Sequence, residues 1–80
     1  MTRHIHPVDK QVAARLYLRR RSLGMTQTEL GAALGVTFQQ VQKYEKGINR
    51  MAVSTLHEAA KALGVPITFF FEGAESIADG

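Results

Sequence analysis

The sequence predicts an all-α domain of about five short helices. Apolar residues recur at helical spacing in successive segments of the chain. Two of these segments begin with a threonine followed three residues later by a glutamate or glutamine, the side-chain pattern that caps a helix. Glycines stand where the segments should end, namely Gly24, Gly35, Gly47 and Gly64.

Length and composition limit the fold to one domain. Eighty residues, of which 45% are hydrophobic, suffice for one small core but not for two. Without cysteine, the chain has neither disulfides nor thiolate metal sites, so its stability must come from apolar packing, with dimerisation as a further source. No apolar run approaches the roughly 18–20 residues that span a bilayer, and no signal peptide is recognisable. We therefore expect a cytoplasmic protein without membrane contacts.

The positive charge is concentrated in one part of the chain. Residues 1–50 contain nine lysines and arginines against three acids, whereas residues 51–80 contain Lys61 against four acids. The positive part includes both capped segments, which is typical of a surface that faces phosphates. The alternative is a solvated surface with a chance imbalance of charge.

Both ends of the chain are expected to be flexible. Pro7 disfavours helix before it, so residues 1–7 are predicted to form an arm. The arm is either a frayed terminus or a basic segment that follows a DNA backbone or enters a minor groove. The predicted domain spans residues 8–73, and residues 74–80 have little packing potential and are predicted to fray.

The first predicted helix starts at residue 8 or 9 and ends at residue 22 or 23. Arginines at positions 19–21 complement the dipole at its end. Arg20 lies at the edge of the apolar stripe, where an unpaired charge would be costly. We therefore expect Arg20 to have a partner. The stripe itself consists of Val12, Leu16 and Leu23.

The second predicted helix runs from Gln27 to Leu34 and buries Leu30 and Leu34. Gly31 lies inside it and costs about 1 kcal/mol of helix propensity relative to alanine. A glycine at such a position indicates a packing reason, and we expect another helix to approach closely there.

The third predicted helix, Phe38 to Lys46, has two sides of different chemistry. The inner side carries Val41, Tyr44 and Glu45, and Ile48 continues it beyond the helix. The outer side carries Gln39, Gln42, Lys43 and Lys46 and no acid. Ordinary solvated helix faces mix charges of both signs. Glutamine can bind adenine bidentately and lysine can donate to guanine, so we interpret the outer side as a surface for base edges and phosphates.

Glu45 lies on the inner flank of the third helix, where it could meet Arg20. We predict that Arg20 and Glu45 form a partly buried ion pair that joins the first and third helices.

The last two predicted helices complete the domain. The fourth runs from Val53 to Leu63, and its inward residues are Leu56, Ala60 and Leu63. Pro66 suits the first turn of a fifth helix over residues 67–71.

The fifth helix is too short to bury all three of its phenylalanines. In one interpretation Ile67 and Phe70 close the core while Phe69 and Phe71 stay partly exposed. In the other, Phe69 and Phe71 contact a second copy of the chain or another protein. We favour a dimer contact.

The run from Gly24 to Gly47 resembles the helix-turn-helix of the Cro/C1-type family, which includes the phage lambda and 434 repressors. The matching residues are Gln27, Leu30, Gly31, Gly35, Val36, Val41, Tyr44 and the sequence Glu45-Lys46-Gly47. Residues 56–73 resemble the family's fourth and fifth helices, so the likeness covers residues 8–73. It implies a compact, five-helix, lambda-repressor-like domain with the helix-turn-helix at the second and third helices.

The resemblance also implies roles for individual residues. The family's base-reading positions in the major groove are occupied by Phe38, Gln39 and Lys43. Its DNA-backbone positions are occupied by Gln27, Thr37, Gln40, Lys46, Asn49 and Arg50. Its ion pair between helices is matched by Arg20 and Glu45. Phe38 stands where some relatives carry a polar residue, so we expect it to contact a thymine methyl group, and the operator sequence does not transfer.

The implied function is that of a sequence-specific regulator of transcription, a bacterial or phage repressor that binds a near-palindromic operator in double-stranded DNA as a homodimer. The alternative is an antitoxin or another protein-interaction module of the same fold, with a protein partner. An enzyme is not expected, since the chain has no cysteine, no cluster of metal ligands and no phosphate-binding loop. His57 is interpreted as a surface or interface residue. No cofactor and no metal are expected.

Overall fold

The computed structural model describes residues 6–73, and these residues contain four α-helices and no strand. A short 3₁₀ turn follows the last helix. The helices are α1 (Pro7–Ser22), α2 (Gln27–Leu34), α3 (Phe38–Glu45) and α4 (Val53–Leu63), and the 3₁₀ turn is Ile67–Phe71. The predicted all-α fold is confirmed. Most of the predicted arm and the whole predicted tail, residues 74–80, lie outside the described residues.

The first helix begins earlier than predicted, at Pro7. Proline is well suited to the first helical position, because the N–H that it lacks would have no partner there. The Nδ1 atom of His6 accepts a hydrogen bond from the backbone N–H of Val8 at 3.1 Å and so caps the helix. His6 is therefore a capping residue in this fold.

The start and the end of α2 are built as the sequence predicts. Thr26 and Glu29 exchange side-chain-to-backbone hydrogen bonds in a complete capping box. The backbone N–H of Thr26, and to a lesser degree its hydroxyl, hold the pKa of Glu29 below its usual value. The hydrogen bonds of the ionised Glu29 carboxylate therefore stabilise the fold above the ordinary pKa of the group. This stabilisation is lost as pH falls through the lowered pKa. Gly35 ends α2 in the left-handed conformation, with φ of 72°.

A core of eight buried residues joins all five elements: Leu16, Leu30, Val41, Leu56, Ala59, Ala60, Leu63 and Phe70. The predicted inward residues of α4 are thus confirmed. Two predicted core residues are exposed instead, since Leu23 retains 45% and Ile48 retains 46% of its surface. Leu23 is the C-cap of α1 and Ile48 follows a glycine with φ of 74°, so neither continues the stripe of its helix.

The expected fifth α-helix is a 3₁₀ turn. The backbone N–H of Phe69 bonds to the carbonyl of Pro66 at 2.9 Å, three residues back. With three residues per turn, positions i and i+3 lie on the same face. This geometry directs both Ile67 and Phe70 at the core, where Phe70 is fully buried. In a segment of five residues, the 3.6-residue period of an α-helix would not place more apolar side chains on that face.

Packing explains the glycine at position 31, as predicted, but the group that approaches it is the turn before α3 rather than another helix. A Cβ atom at Gly31 would lie 2.7 Å from the carbonyl oxygen of Val36 and 3.3 Å from the carbonyl carbon of Thr37. The same segment is held by the hydrogen bond from the Val36 N–H to the Gly31 carbonyl, 2.9 Å long. Any side chain at position 31 must therefore push the start of α3 away from α2.

Gly31→Ala is expected to lower the free energy of unfolding by about 1–2 kcal/mol, since the steric cost of overpacking outweighs the gain of about 1 kcal/mol in helix propensity. Urea denaturation followed by circular dichroism measures the change. Ala33→Gly, at an exposed position of the same helix, is the control and reports propensity alone. A Gly31→Ala variant more stable than the wild type would show that the turn can move without cost.

Candidate nucleic-acid interface

The outer face of α3 consists of Gln39, Gln42, Lys43 and Lys46. All of these residues are exposed except Gln42, which is half-buried. On the opposite side of the helix Val41 is fully buried, which fixes the rotation of α3 about its axis. The only acid of α3 is Glu45, and its side chain is 4% exposed. The outer face therefore presents amide and ammonium groups without a competing carboxylate.

Glu45 forms a buried, two-point ion pair with Arg20. The Nε atom of Arg20 donates to Oε2 at 2.6 Å and its Nη2 atom donates to Oε1 at 3.1 Å. The third nitrogen, Nη1, donates to the carbonyl of Met25 at 2.8 Å. The arginine side chain is 7% exposed, so the pair is more buried than the sequence suggests. It fixes α3 to the end of α1.

Gln27 binds the same carboxylate. The side-chain amide of Gln27, at the first position of α2, donates to Oε1 of Glu45 at 3.0 Å. The carboxylate of Glu45 therefore connects α1, α2 and α3 through three short hydrogen bonds. One N–H of the Gln27 amide is used inside the protein, and the amide is held in a fixed orientation beside the N-terminus of α2.

The three consecutive arginines of α1 have three different environments. The Nε atom of Arg19 donates to the carbonyl of Leu63 at 2.9 Å and so binds the end of α4. Arg20 is used by the ion pair. Arg21 is exposed, with its guanidinium 5.8 Å from the ring centre of Tyr17. The partner of Arg20 was predicted from its place at the edge of the apolar stripe, whereas no pattern in the sequence distinguishes the environments of Arg19 and Arg21.

A groove of about 600 Å³ runs beside the N-terminus of α2. Tyr17 and Arg21 lie on one side of it and Thr26 and Gln27 on the other. Gln27, for which the resemblance predicts a contact to the DNA backbone, is thus joined by the exposed Arg21. Exposed basic groups next to a helix N-terminus suit an anionic group such as phosphate.

The loop after α3 carries Asn49 and Arg50, and both residues are exposed. The Nε atom of Arg50 donates to Oδ2 of Asp9 at 2.8 Å, so the loop is tied to the first turn of α1. This ion pair was not predicted, because Asp9 and Arg50 are 41 residues apart and no periodic pattern connects them.

The start of α3 contains the remaining predicted contacts. The hydroxyl oxygen of Thr37 accepts from the backbone N–H of Gln40 at 3.2 Å and so caps the helix. Within residues 6–73 the hydroxyl proton has no acceptor in the protein. Phe38 is 43% exposed, and the Gln40 side chain is half-buried.

The model of the helix-turn-helix family matches residues 16–70, which include α2, the turn and α3. The chain belongs to the Cro/C1-type helix-turn-helix family. It is 54% identical over 69 residues to an uncharacterised HTH-type transcriptional regulator of Sinorhizobium medicae, an alignment that covers 86% of this chain and 50% of that protein. It is 50% identical over 74 residues to a transcriptional regulator in the ATPase CF(0) region of Rhodospirillum rubrum, covering 92% and 68% respectively. The chain thus spans about half the length of several of these relatives.

Solved structures show the same fold. The clp gene regulator ClgR from Corynebacterium glutamicum superimposes with a TM-score of 0.81 at 27% identity, over 91% of this chain and 80% of that one. The restriction-modification controller protein C.AhdI from Aeromonas hydrophila gives 0.74 at 22% identity, over 79% and 96%, and at this identity the likeness concerns the fold alone.

The relatives from Sinorhizobium medicae and Rhodospirillum rubrum are named as transcriptional regulators, and the helix-turn-helix family is a non-enzymatic class of DNA-binding regulators. Between residues 6 and 73, no three histidines or acids are grouped so that they could hold a metal ion. No helix in this part of the chain is long and apolar enough to cross a membrane.

The two aromatic residues predicted at a dimer interface differ in exposure. Phe69 is half-buried, lies 4.0 Å below the guanidinium of Arg15 and packs edge-on against Phe70. Phe71 is 37% exposed and lines a largely apolar pocket of about 190 Å³ between α1, the loop after α3 and α4. Val53, at the rim of this pocket, is 80% exposed. The apolar surface available to a partner therefore centres on Phe71 and Val53 rather than on Phe69.

Proposed function

We propose that the protein is a sequence-specific regulator of transcription, acting as a repressor, that reads double-stranded DNA through the outer face of α3. The observation that carries the proposal is the separation of charge on this helix. Its outer face has two amides and two ammonium groups, while Glu45 is withdrawn into an ion pair with Arg20. An exposed carboxylate at the same position would repel phosphates, so its burial favours an anionic ligand.

Base reading is assigned to Phe38, Gln39 and Lys43. Gln39 and Lys43 are exposed and have the donor and acceptor groups that discriminate base edges in the major groove. Phe38 offers an apolar surface of the kind that contacts a thymine methyl group. Backbone contacts are assigned to Gln27, Thr37, Gln40, Lys46, Asn49 and Arg50, with Arg21 added beside the groove at the start of α2.

Two copies of the domain would bind a near-palindromic operator. In a symmetric dimer the third helices enter successive major grooves about 34–36 Å apart. With several phosphate contacts from each subunit, the affinity falls steeply with salt. For each tenfold rise in salt concentration, the logarithm of the binding constant decreases by about 0.9 for every phosphate that the protein neutralises.

Selection from random double-stranded DNA at a fixed salt concentration, followed by footprinting, tests the proposal. The expected result is a near-palindromic site with half-sites about one helical turn apart, protected by two copies of the chain. Titrations of the selected site at several salt concentrations should give the steep slope described above. The absence of any enriched sequence would contradict the proposal and favour a protein-interaction module.

The apolar surface around Phe71 and Val53 supports a second candidate function, that of an antitoxin or another module with a protein partner. The same surface also suits the dimer contact, and a single variant separates the two. Phe71→Glu is expected to convert a dimer into a monomer in analytical ultracentrifugation and to weaken binding to a palindromic site, since burying a carboxylate in an apolar contact is costly.

Leu18→Glu is the matched control for Phe71→Glu. Leu18 is 57% exposed on α1 and does not line the pocket, so this variant should stay dimeric. Circular dichroism verifies the fold of both variants. If Phe71→Glu leaves the mass unchanged but abolishes copurification of a small basic protein, the surface serves that partner instead.

A further inference from the structure

Asp9 and Arg50 form an ion pair at the edge of the proposed DNA-binding surface. The Nε atom of Arg50 lies 2.8 Å from Oδ2 of Asp9. The two side chains differ in exposure, 75% for the arginine and 27% for the aspartate. Asp9 belongs to the first turn of α1, whereas Arg50 belongs to the loop that follows α3.

We propose that Asp9 is a positioning residue for DNA binding, which holds Arg50 in the orientation in which its terminal nitrogens meet a phosphate. The inference rests on the proposed function and deepens it, because it concerns an acidic residue that contacts no DNA itself. The ligand is a phosphate of the duplex backbone next to the base pairs read by α3.

The geometry of the hydrogen bond supports this role. Among the described residues, Arg50 is bonded through Nε, which is the inner nitrogen of the guanidinium group. Within residues 6–73, Nη1 and Nη2 make no hydrogen bond, so both terminal amino groups remain available. A guanidinium held at Nε keeps the fork of donors that matches a phosphate.

The position of Asp9 makes it a suitable anchor. Its backbone is fixed in α1, and the positive end of the helix dipole stabilises a carboxylate in the first turn. Both Asp9 and Arg50 line the pocket formed by α1, the loop after α3 and α4. The Arg50 side chain is 75% exposed beside this pocket, so its hydrogen bond to Asp9 is the contact that restricts its rotamers, whereas a long arginine on an open loop would sample many.

Asp9 also carries a negative charge, and its repulsion of phosphates opposes the gain in affinity from positioning Arg50. Ordering one long side chain at an interface reduces affinity by about two- to tenfold, so an arginine ordered beforehand recovers that factor. Repulsion between Asp9 and a phosphate on the far side of the guanidinium acts through water and screening salt, and it changes affinity by less than about twofold. The positioning effect is therefore expected to be the larger one.

A double-mutant cycle on the selected operator tests this proposal, with four variants: Asp9→Ala, Asp9→Asn, Arg50→Ala and Asp9→Ala/Arg50→Ala. Asp9→Ala is expected to weaken operator binding by about two- to fivefold at physiological salt, the lost positioning being partly offset by the removed repulsion. Arg50→Ala should weaken it at least as much and reduce the salt slope by about one. The double variant should bind like Arg50→Ala, because Asp9 acts only through Arg50.

Asp9→Asn is the conservative control, since its side-chain oxygen can still accept the Nε–H hydrogen bond without the charge. It should bind within about twofold of the wild type. If the charge of Asp9 alone held Arg50 in place, Asp9→Asn would instead bind as weakly as Asp9→Ala. Equal or tighter binding by Asp9→Ala, or additive losses in the double variant, would overturn the positioning role. Failure of the wild type to bind any operator would instead contradict the proposed function, which keeps the two failures distinct.

Discussion

Glu45→Ala is expected to lower the free energy of unfolding by about 3–5 kcal/mol, which is a large part of the stability of a small domain. The variant leaves the guanidinium of Arg20 buried without its carboxylate, and it also removes the acceptor of the Gln27 amide. An unpaired buried charge costs far more than the loss of one hydrogen bond. Urea denaturation followed by circular dichroism at constant pH and salt measures the change.

Glu58→Ala provides the matched control. Glu58 is half-exposed on α4 and lies 3.7 Å from Lys61, so it is a glutamate in a solvated ion pair. Removing such a pair should change stability by less than about 1 kcal/mol. If Glu45→Ala costs no more than Glu58→Ala, the buried carboxylate does not hold the three helices together.

Replacing both partners separates the charge from the packing. An Arg20→Met/Glu45→Leu variant should recover most of the stability lost by Glu45→Ala, because apolar side chains of similar size need no solvation. Gln27 would then lose its internal acceptor. We expect this variant to fold but to bind DNA more weakly than the wild type, since the orientation of the Gln27 amide depends on Glu45.

The sequence predicts the local features of the fold because their causes lie within a few residues. The capping box of Thr26 and Glu29 and the left-handed Gly35 each depend on neighbours within one helical turn. Helical periodicity also predicts that Val41 is buried and Lys43 is exposed, because the rotation of α3 about its axis determines which way each of its residues faces. The 3₁₀ turn was missed because a segment of only five residues has too few positions to reveal its period.

Contacts between distant residues could not be predicted in the same way. Asp9 and Arg50, 41 residues apart, meet only because α1 and the loop after α3 pack side by side. Gln27 reaches Glu45 for a similar reason, since this contact depends on how α2 and α3 pack against each other. The Arg20–Glu45 pair is an exception, because the cost of an unpaired charge at the edge of an apolar stripe restricts the possible partners.

The Gln39→Ala/Lys43→Ala double variant is expected to lose sequence preference while keeping most non-specific affinity. Each bidentate contact to a base discriminates by about 1–3 kcal/mol, so each substitution should weaken binding to the selected operator by roughly 10- to 100-fold. Binding to unrelated DNA depends on phosphate contacts, which remain in place, and should change much less. Competition titrations with operator and random duplexes at one salt concentration give both affinities and their ratio.

Two single variants separate the loss of base reading from the loss of a positive charge. Lys61→Ala removes a positive charge from α4, where the exposed ammonium group lies near Glu58, and should leave both affinities nearly unchanged. Lys46→Ala removes a proposed phosphate contact, so it should weaken both affinities about equally and reduce the salt slope by about one. A double variant at positions 39 and 43 that keeps both operator affinity and preference would show that the outer face of α3 does not read the bases. Because Gln39 and Lys43 are exposed, truncating them should leave the fold unchanged, so such a result would concern base reading alone.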